Sequence, residues 1–147
     1  MFNRFTTLVG AAALLAGTAS AQEVTLRYGH YLGDSPFLAA EQEFAAAVEE
    51  RTEGRVRIEI TYAGGLGAGN ELLTLTGRGA IEMAAIVPGY YADQLVYWRA
   101  YQIPFVCETP RQAMENSAAA YDDLPYFREK LSSFGVEFLF HQPLGDY

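Results

Sequence analysis

Little in this chain of 147 residues suits covalent or metal chemistry. Cysteine occurs once, at Cys107, and histidine twice, at His30 and His141. A single thiol excludes a disulfide within the chain, and two imidazoles without clustered cysteines or acids make a poor metal site. Cys107 lies in the apolar run from Ile103 and reads as a small buried hydrophobe. Basic residues are scarce as well, 10 against 18 acidic ones, giving a net charge of −8. Phosphate contacts need clustered Lys or Arg, so nucleic acid is excluded as a partner. No G-x-S-x-G, H-E-x-x-H, S-x-x-K or Gly-Lys-Ser/Thr motif occurs. Beyond residue 21 no apolar run approaches the roughly 20 residues that span a bilayer, and the mature chain is expected to be soluble.

What is present starts with an export signal. Met1 to Arg4 carry one positive charge, Phe5 to Gly17 are apolar or small, and Ala19-Ser20-Ala21 fits the signal-peptidase pattern. Residues 1–21 are therefore expected to be a cleaved signal peptide, with the mature chain starting at Gln22 in the periplasm.

The mature chain then alternates between two periodicities. Val24 to His30 alternates as a strand, and Ser35-Pro36 opens a helix to Arg51 with Phe37, Ala40, Phe44, Ala47 and Val48 on its apolar face. Glu41, Glu43, Glu49 and Glu50 are expected on its wet side, and Gly54 ends it. Arg55 to Tyr62 is the cleanest strand; a glycine loop (Gly64, Gly65, Gly67, Gly69) leads into a short helix, Asn70 to Arg78. Ile81 to Val87 is a third strand, apolar enough to be central. Tyr90 to Tyr101 is aromatic and irregular. Pro110 to Tyr121 and Tyr126 to Leu131 are helices, and Val136 to His141 is a fourth strand. This order predicts an α/β fold, a mostly parallel sheet flanked by helices on both faces.

Ligands in such sheets sit beyond the carboxyl ends of the strands. Four loops answer that description: Tyr31 to Ser35, Gly64 to Asn70, Pro88 to Tyr91 and Pro143 to Tyr147. The glycine loop is not a dinucleotide fingerprint, because its third glycine position is Asn70. It is either a polar-ligand contact through backbone N–H groups or a tight turn that only lets strand and helix pack. His30 and His141, each at a strand end, are pocket-wall residues or, on a rival reading, general bases of an exported enzyme. Tyr90, Tyr91, Tyr97, Trp98 and Tyr101 form an aromatic cluster suited to a core, with Tyr90 and Tyr91 placed to line a site.

These segments in this order resemble the solute-binding proteins of tripartite ATP-independent periplasmic (TRAP) transporters, the family of the C4-dicarboxylate receptor. The resemblance rests on Leu26-Arg27-Tyr28-Gly29-His30, on Val48-Glu49-Glu50-Arg51-Thr52-Glu53-Gly54-Arg55-Val56, and on Tyr62-Ala63-Gly64-Gly65-Leu66-Gly67. It continues through Asn70-Glu71-Leu72-Leu73, Gly79-Ala80-Ile81-Glu82-Met83 and Ile103-Pro104-Phe105. It implies a periplasmic-binding-protein-like fold of two α/β domains with the ligand in the cleft between them. Residues 22–141 would be most of the first domain and 142–147 the start of a crossover to a second that this sequence does not contain, an N-terminal fragment.

The resemblance further implies a non-enzymatic receptor, without cofactor or metal, that captures a small organic acid such as a dicarboxylate. It would deliver that solute to small and large membrane permease subunits. The alternative within the binding class is the receptor of an ATP-driven importer or a sensor module. Ligand contacts are implied at His30, Tyr31, Ala68, Gly69, Asn70, Val87, Gly89, Tyr90, Tyr91 and Tyr147. Many members of that family carry an arginine in a Gly-x-Arg turn after the fourth strand; here Gly145-Asp146-Tyr147 stands there. None of Arg27, Arg55, Arg57 or Arg78 is expected at a strand's carboxyl end.

Overall fold

A computed structural model describes residues 23–143 of the chain. The expected signal peptide and the Gly145-Asp146-Tyr147 stretch lie outside the described residues. Three parallel strands form one sheet in the order β2-β1-β3, with β1 at Val24–Gly29, β2 at Val56–Thr61 and β3 at Met83–Ala84. Register is set by alternation: Leu26 pairs with Ile58, and Tyr28 with Ile60 on one side and Met83 on the other. These side chains share one face, which packs on Phe44, Ala45 and Val48 of helix α1, Ala39–Arg51. Helix α2, Leu72–Gly77, approaches the opposite face at the carboxyl end of β1. There Gly29 leaves room for Leu72 and Ile81, whose side chains would stand 3.0 and 3.1 Å from an added Cβ.

The helix ends follow local chemistry. Pro36 opens a 3-10 turn, Pro36–Leu38, although Ser35 makes no side-chain capping bond. α1 closes with the Gly54 N–H donating to Glu49 O at 2.8 Å while Gly54 takes a positive φ of 78°. Helix α3, Pro110–Asp123, is capped by Thr109, whose side chain accepts from the Gln112 N–H. Helix α4, Pro125–Ser132, follows at once. A second core joins Leu73, Tyr91, Leu95, Trp98, Phe127 and Leu131.

Four expectations are corrected. β1, not β3, is central, and β3 shortens to two residues. The apolar run from Ile81 reflects burial of Ile81 and Met83 beneath the flanking elements rather than a middle place in the sheet. Residues 136–141 form no strand. Their alternation is spent on packing instead, since Val136 and Phe138 dock on the second core without a backbone ladder. Glu41 is not on the wet side but 1% exposed. The opening 3-10 turn rotates α1 so that Leu38 and Glu41 face inward, while Phe37 is 46% exposed. Finally, the run holding Cys107 is not buried: Ile103, Phe105 and Val106 face solvent and Cys107 is half-buried.

Candidate functional site

Three strand-end loops meet beyond the carboxyl edge of the sheet. The loop after β1 is tied to the loop after β2 by two backbone bonds, Ala63 N–H to Leu32 O at 2.7 Å and Gly64 N–H to His30 O at 3.0 Å. The loop after β3 enters through a 3-10 turn, Pro88–Tyr91. Tyr31 of the first loop meets Tyr90 of the third edge to face, with ring centroids 5.9 Å apart. Gly69 of the second loop lies against both: a Cβ there would stand 2.7 Å from Tyr90 Cε2 and 3.3 Å from Tyr31 Cβ. Only a glycine lets the three loops close this tightly.

The expected site residues divide into groups. Tyr31, Gly69 and Tyr90 form the wall, with Tyr90 53% exposed and available to a ligand. Ala68 and Asn70 flank it, both exposed, and Gly89 is exposed beside the Gln102 side chain. Val87 is half-buried at the base of the turn. Tyr147 lies outside the described residues.

Tyr91 does not line the surface. It is buried, its hydroxyl donating to Gly69 O at 2.6 Å and accepting from the Leu73 N–H at 3.0 Å. That one hydroxyl bolts the glycine loop and the start of α2 to the turn carrying Tyr90. Sequence alone could not separate Tyr90 from Tyr91; the rotation of about a third of a turn between successive residues of a 3-10 turn sends one outward and one inward.

Several amides of the glycine loop are already engaged. The N–H groups of Gly65 and Gly67 donate to Tyr62 O and Gly64 O, and that of Ala68 donates to Glu71 Oε2 at 2.9 Å. These bonds make the stretch from Gly64 to Ala68 a tight turn. At Gly69 the loop contributes closeness of approach to the wall.

His30 sits behind the wall, 2% exposed, its ring stacked on Tyr31 at 5.0 Å and 16°. Burial holds its imidazole below the ordinary value of 6.5. His30 and His141 both line an apolar cavity of about 570 Å³, which runs beside β3 and meets the wall at Tyr31 and Val87. His141 Nδ1 lies 3.3 Å from Ala113 O, and burial lowers its pKa too. Among the described residues no group of three or more His, Cys, Asp or Glu side chains is placed to hold a metal ion.

Four of the arginines are engaged away from the wall. Arg27 grips Glu82 through Nε and Nη2 at 3.0 and 2.7 Å, Arg55 donates to Thr52 O, and Arg57 lies 3.7 Å from Glu59. Arg128 donates to the Tyr121 and Asp122 carbonyls at the end of α3. The wall at Tyr31 and Tyr90 is aromatic, suited to the flat or C–H face of a small molecule, and the Glu71 carboxylate stands beside it at Ala68.

Residues 29–133 match the family model described as bacterial extracellular solute-binding protein, family 7. An uncharacterised protein of Sinorhizobium fredii, y4mM, is 31% identical over 116 residues, covering 74% of this chain and 21% of that protein. Among solved structures, a TRAP periplasmic solute-binding protein of Rhodobacter sphaeroides, in an open apo state, has a TM-score of 0.64 at 22% identity. The match covers 77% of this chain and 36% of that one. A second, from a Sulfitobacter species with bound β-D-galacturonate, has a TM-score of 0.56 at 18% identity, covering 75% and 36%. The chain thus spans about a third of the length of the solved proteins whose fold it shares.

Proposed function

Because this chain belongs to family 7 of the bacterial extracellular solute-binding proteins, we propose that it forms one wall of an extracytoplasmic receptor that captures a small organic acid. The solute is handed to the small and large membrane permease subunits of a TRAP-type transporter. The protein acts in the periplasm after removal of the signal peptide, and no bond is made or broken. Residues 22–141 supply most of the first of two α/β domains, and closure of the second over the wall is the working motion.

The observation that carries this reading is the junction of Tyr31, Gly69 and Tyr90, each from a different strand-end loop. Ligands of open α/β sheets occupy that edge. A sugar acid suits it, because its C–H face can lie on the two tyrosine rings while its hydroxyls meet backbone groups of the flanking loops. The galacturonate in the Sulfitobacter neighbour supports that chemical class. With Arg27, Arg55, Arg57 and Arg128 engaged elsewhere, the cation for the carboxylate is assigned to the opposite domain.

A thermal-shift panel of sugar acids, dicarboxylates and neutral sugars tests the proposal. Stabilisation by an acid without any product, and loss of that stabilisation in Tyr90→Ala, is the expected result. Steady turnover abolished by changing His30 or His141 overturns it in favour of an exported enzyme.

A further inference from the structure

The wall uses the rings of Tyr31 and Tyr90 and leaves one buried charge without a purpose. Glu41 of α1 is 1% exposed, and neither of its carboxyl oxygens has a hydrogen-bond partner. Its Oε1 lies 3.6 Å from His30 Nε2. His30 Nδ1 accepts a 3.0 Å bond from the Leu32 N–H, so that nitrogen is bare and the ring proton sits on Nε2, toward Glu41. The other face of the story is Tyr31, stacked on this same ring and meeting Tyr90 beyond it.

We propose that Glu41 is a positioning residue of the solute-binding wall: its carboxyl, 3.6 Å from Nε2 and beyond hydrogen-bond length, favours the Nε2–H form of the His30 ring by attraction across that gap, and thereby fixes Tyr31 against Tyr90. What the wall binds rests on the receptor reading above; the His30 tautomer does not.

The geometry explains why the tautomer matters. A proton on Nδ1 would face the Leu32 N–H, two donors toward each other, and the 30–32 turn would have to open. That turn also carries the His30 and Leu32 carbonyls that receive Gly64 and Ala63, so opening it loosens the glycine loop as well. The carboxyl of Glu41 across the gap keeps the proton on Nε2. Groups facing the pair include Tyr28 from β1, Tyr31 beside it, and Tyr62 from the loop after β2, whose hydroxyl is bound by Gln42, itself held to Asp34. Among the described residues no Lys or Arg lies within ion-pair distance of Glu41. Burial pushes Glu41 up and His30 down, so the interior favours the state with fewest charges.

Side-chain 15N and ring 13C NMR of the 147-residue chain across pH, for wild type, Glu41→Gln and Glu41→Met, tests this directly; two histidines keep the spectrum simple. In wild type, His30 is expected in the Nε2–H form at neutral pH, with its ring and the Tyr31 ring shifting at a common midpoint set by Glu41. Glu41→Gln keeps a polar oxygen there, so the tautomer survives and that midpoint disappears. Glu41→Met mixes the tautomers and moves the Tyr31 resonances, and D-galacturonate affinity falls severalfold. Identical His30 tautomer and titration in all three proteins overturns the proposal, as does a Tyr31 ring that ignores the His30 step. If Glu41→Met does not fold, the loss or survival of the shared midpoint in Glu41→Gln decides. Failure of galacturonate to bind any variant counts against the receptor reading and leaves the NMR result standing.

Discussion

Tyr91 shows how much one hydroxyl can hold at this edge. Changing it to Phe keeps the ring in the core and strands Gly69 O and the Leu73 N–H, both formerly bonded to it. A loss of about 1–3 kcal/mol is expected, the cost of unsatisfied buried polar groups, measured as a lower urea midpoint at unchanged m-value. Gly69→Ala should act differently. Its Cβ would stand 2.7 Å from the exposed Tyr90 ring, which can swing away, so stability changes little while solute affinity drops. Glu41 carries a prediction of opposite sign: Glu41→Met should be neutral or stabilising by on the order of 1 kcal/mol, because a buried carboxyl with no partner gives way to an apolar chain. Burial raises the folded-state pKa of Glu41 above 4.5. The wild type therefore loses stability as pH rises through that folded value, and the advantage of Met should widen in the same direction. Thermal melts from pH 4 to 8 check the trend. The loops that carry Tyr31, Gly69 and Tyr90 were legible because strand ends can be read from alternation and turn residues. The roles of Tyr91 and Glu41 were not, since each depends on a rotation of less than one turn that no pattern of residue types records.

At the scale of elements, most boundaries followed from local signals. The Gly54 stop, the Thr109-Pro110 start and the alternation of β2 all appear where residue chemistry puts them. Strand order did not follow, because continuous apolarity from Ile81 means burial on both faces, which an edge strand beneath α1 and α2 also attains. The segment from Val136 is similar: its period of two is real and serves packing on Trp98. One cross-strand tie has a pH signature. Arg27 holds Glu82 by side-chain and backbone hydrogen bonds, bringing its carboxyl down to about 2 from the ordinary 4.5. Stability from this pair is present above 4.5 and is lost as pH falls toward 2. Glu82→Gln should therefore flatten the acid limb of the melting curve in that window and leave neutral pH nearly unchanged. Thr109→Ala tests the α3 cap, with an expected cost of about 1 kcal/mol in the unfolding free energy.

For the whole molecule, the central claim is that three loops at one sheet edge make half of a solute cleft. A half-wall built on two tyrosine rings offers few contacts, so binding to this chain alone should be weak, in the millimolar range where such contacts contribute only about 4 kcal/mol. The most direct measurement is an amide 1H–15N titration of the chain with D-galacturonate at millimolar concentrations, with neutral galactose as the control. Saturable shifts confined to Tyr31, Ala68 to Asn70 and Val87 to Tyr90 are the predicted result. Shifts absent there, or centred instead on α3 and α4, would contradict the account.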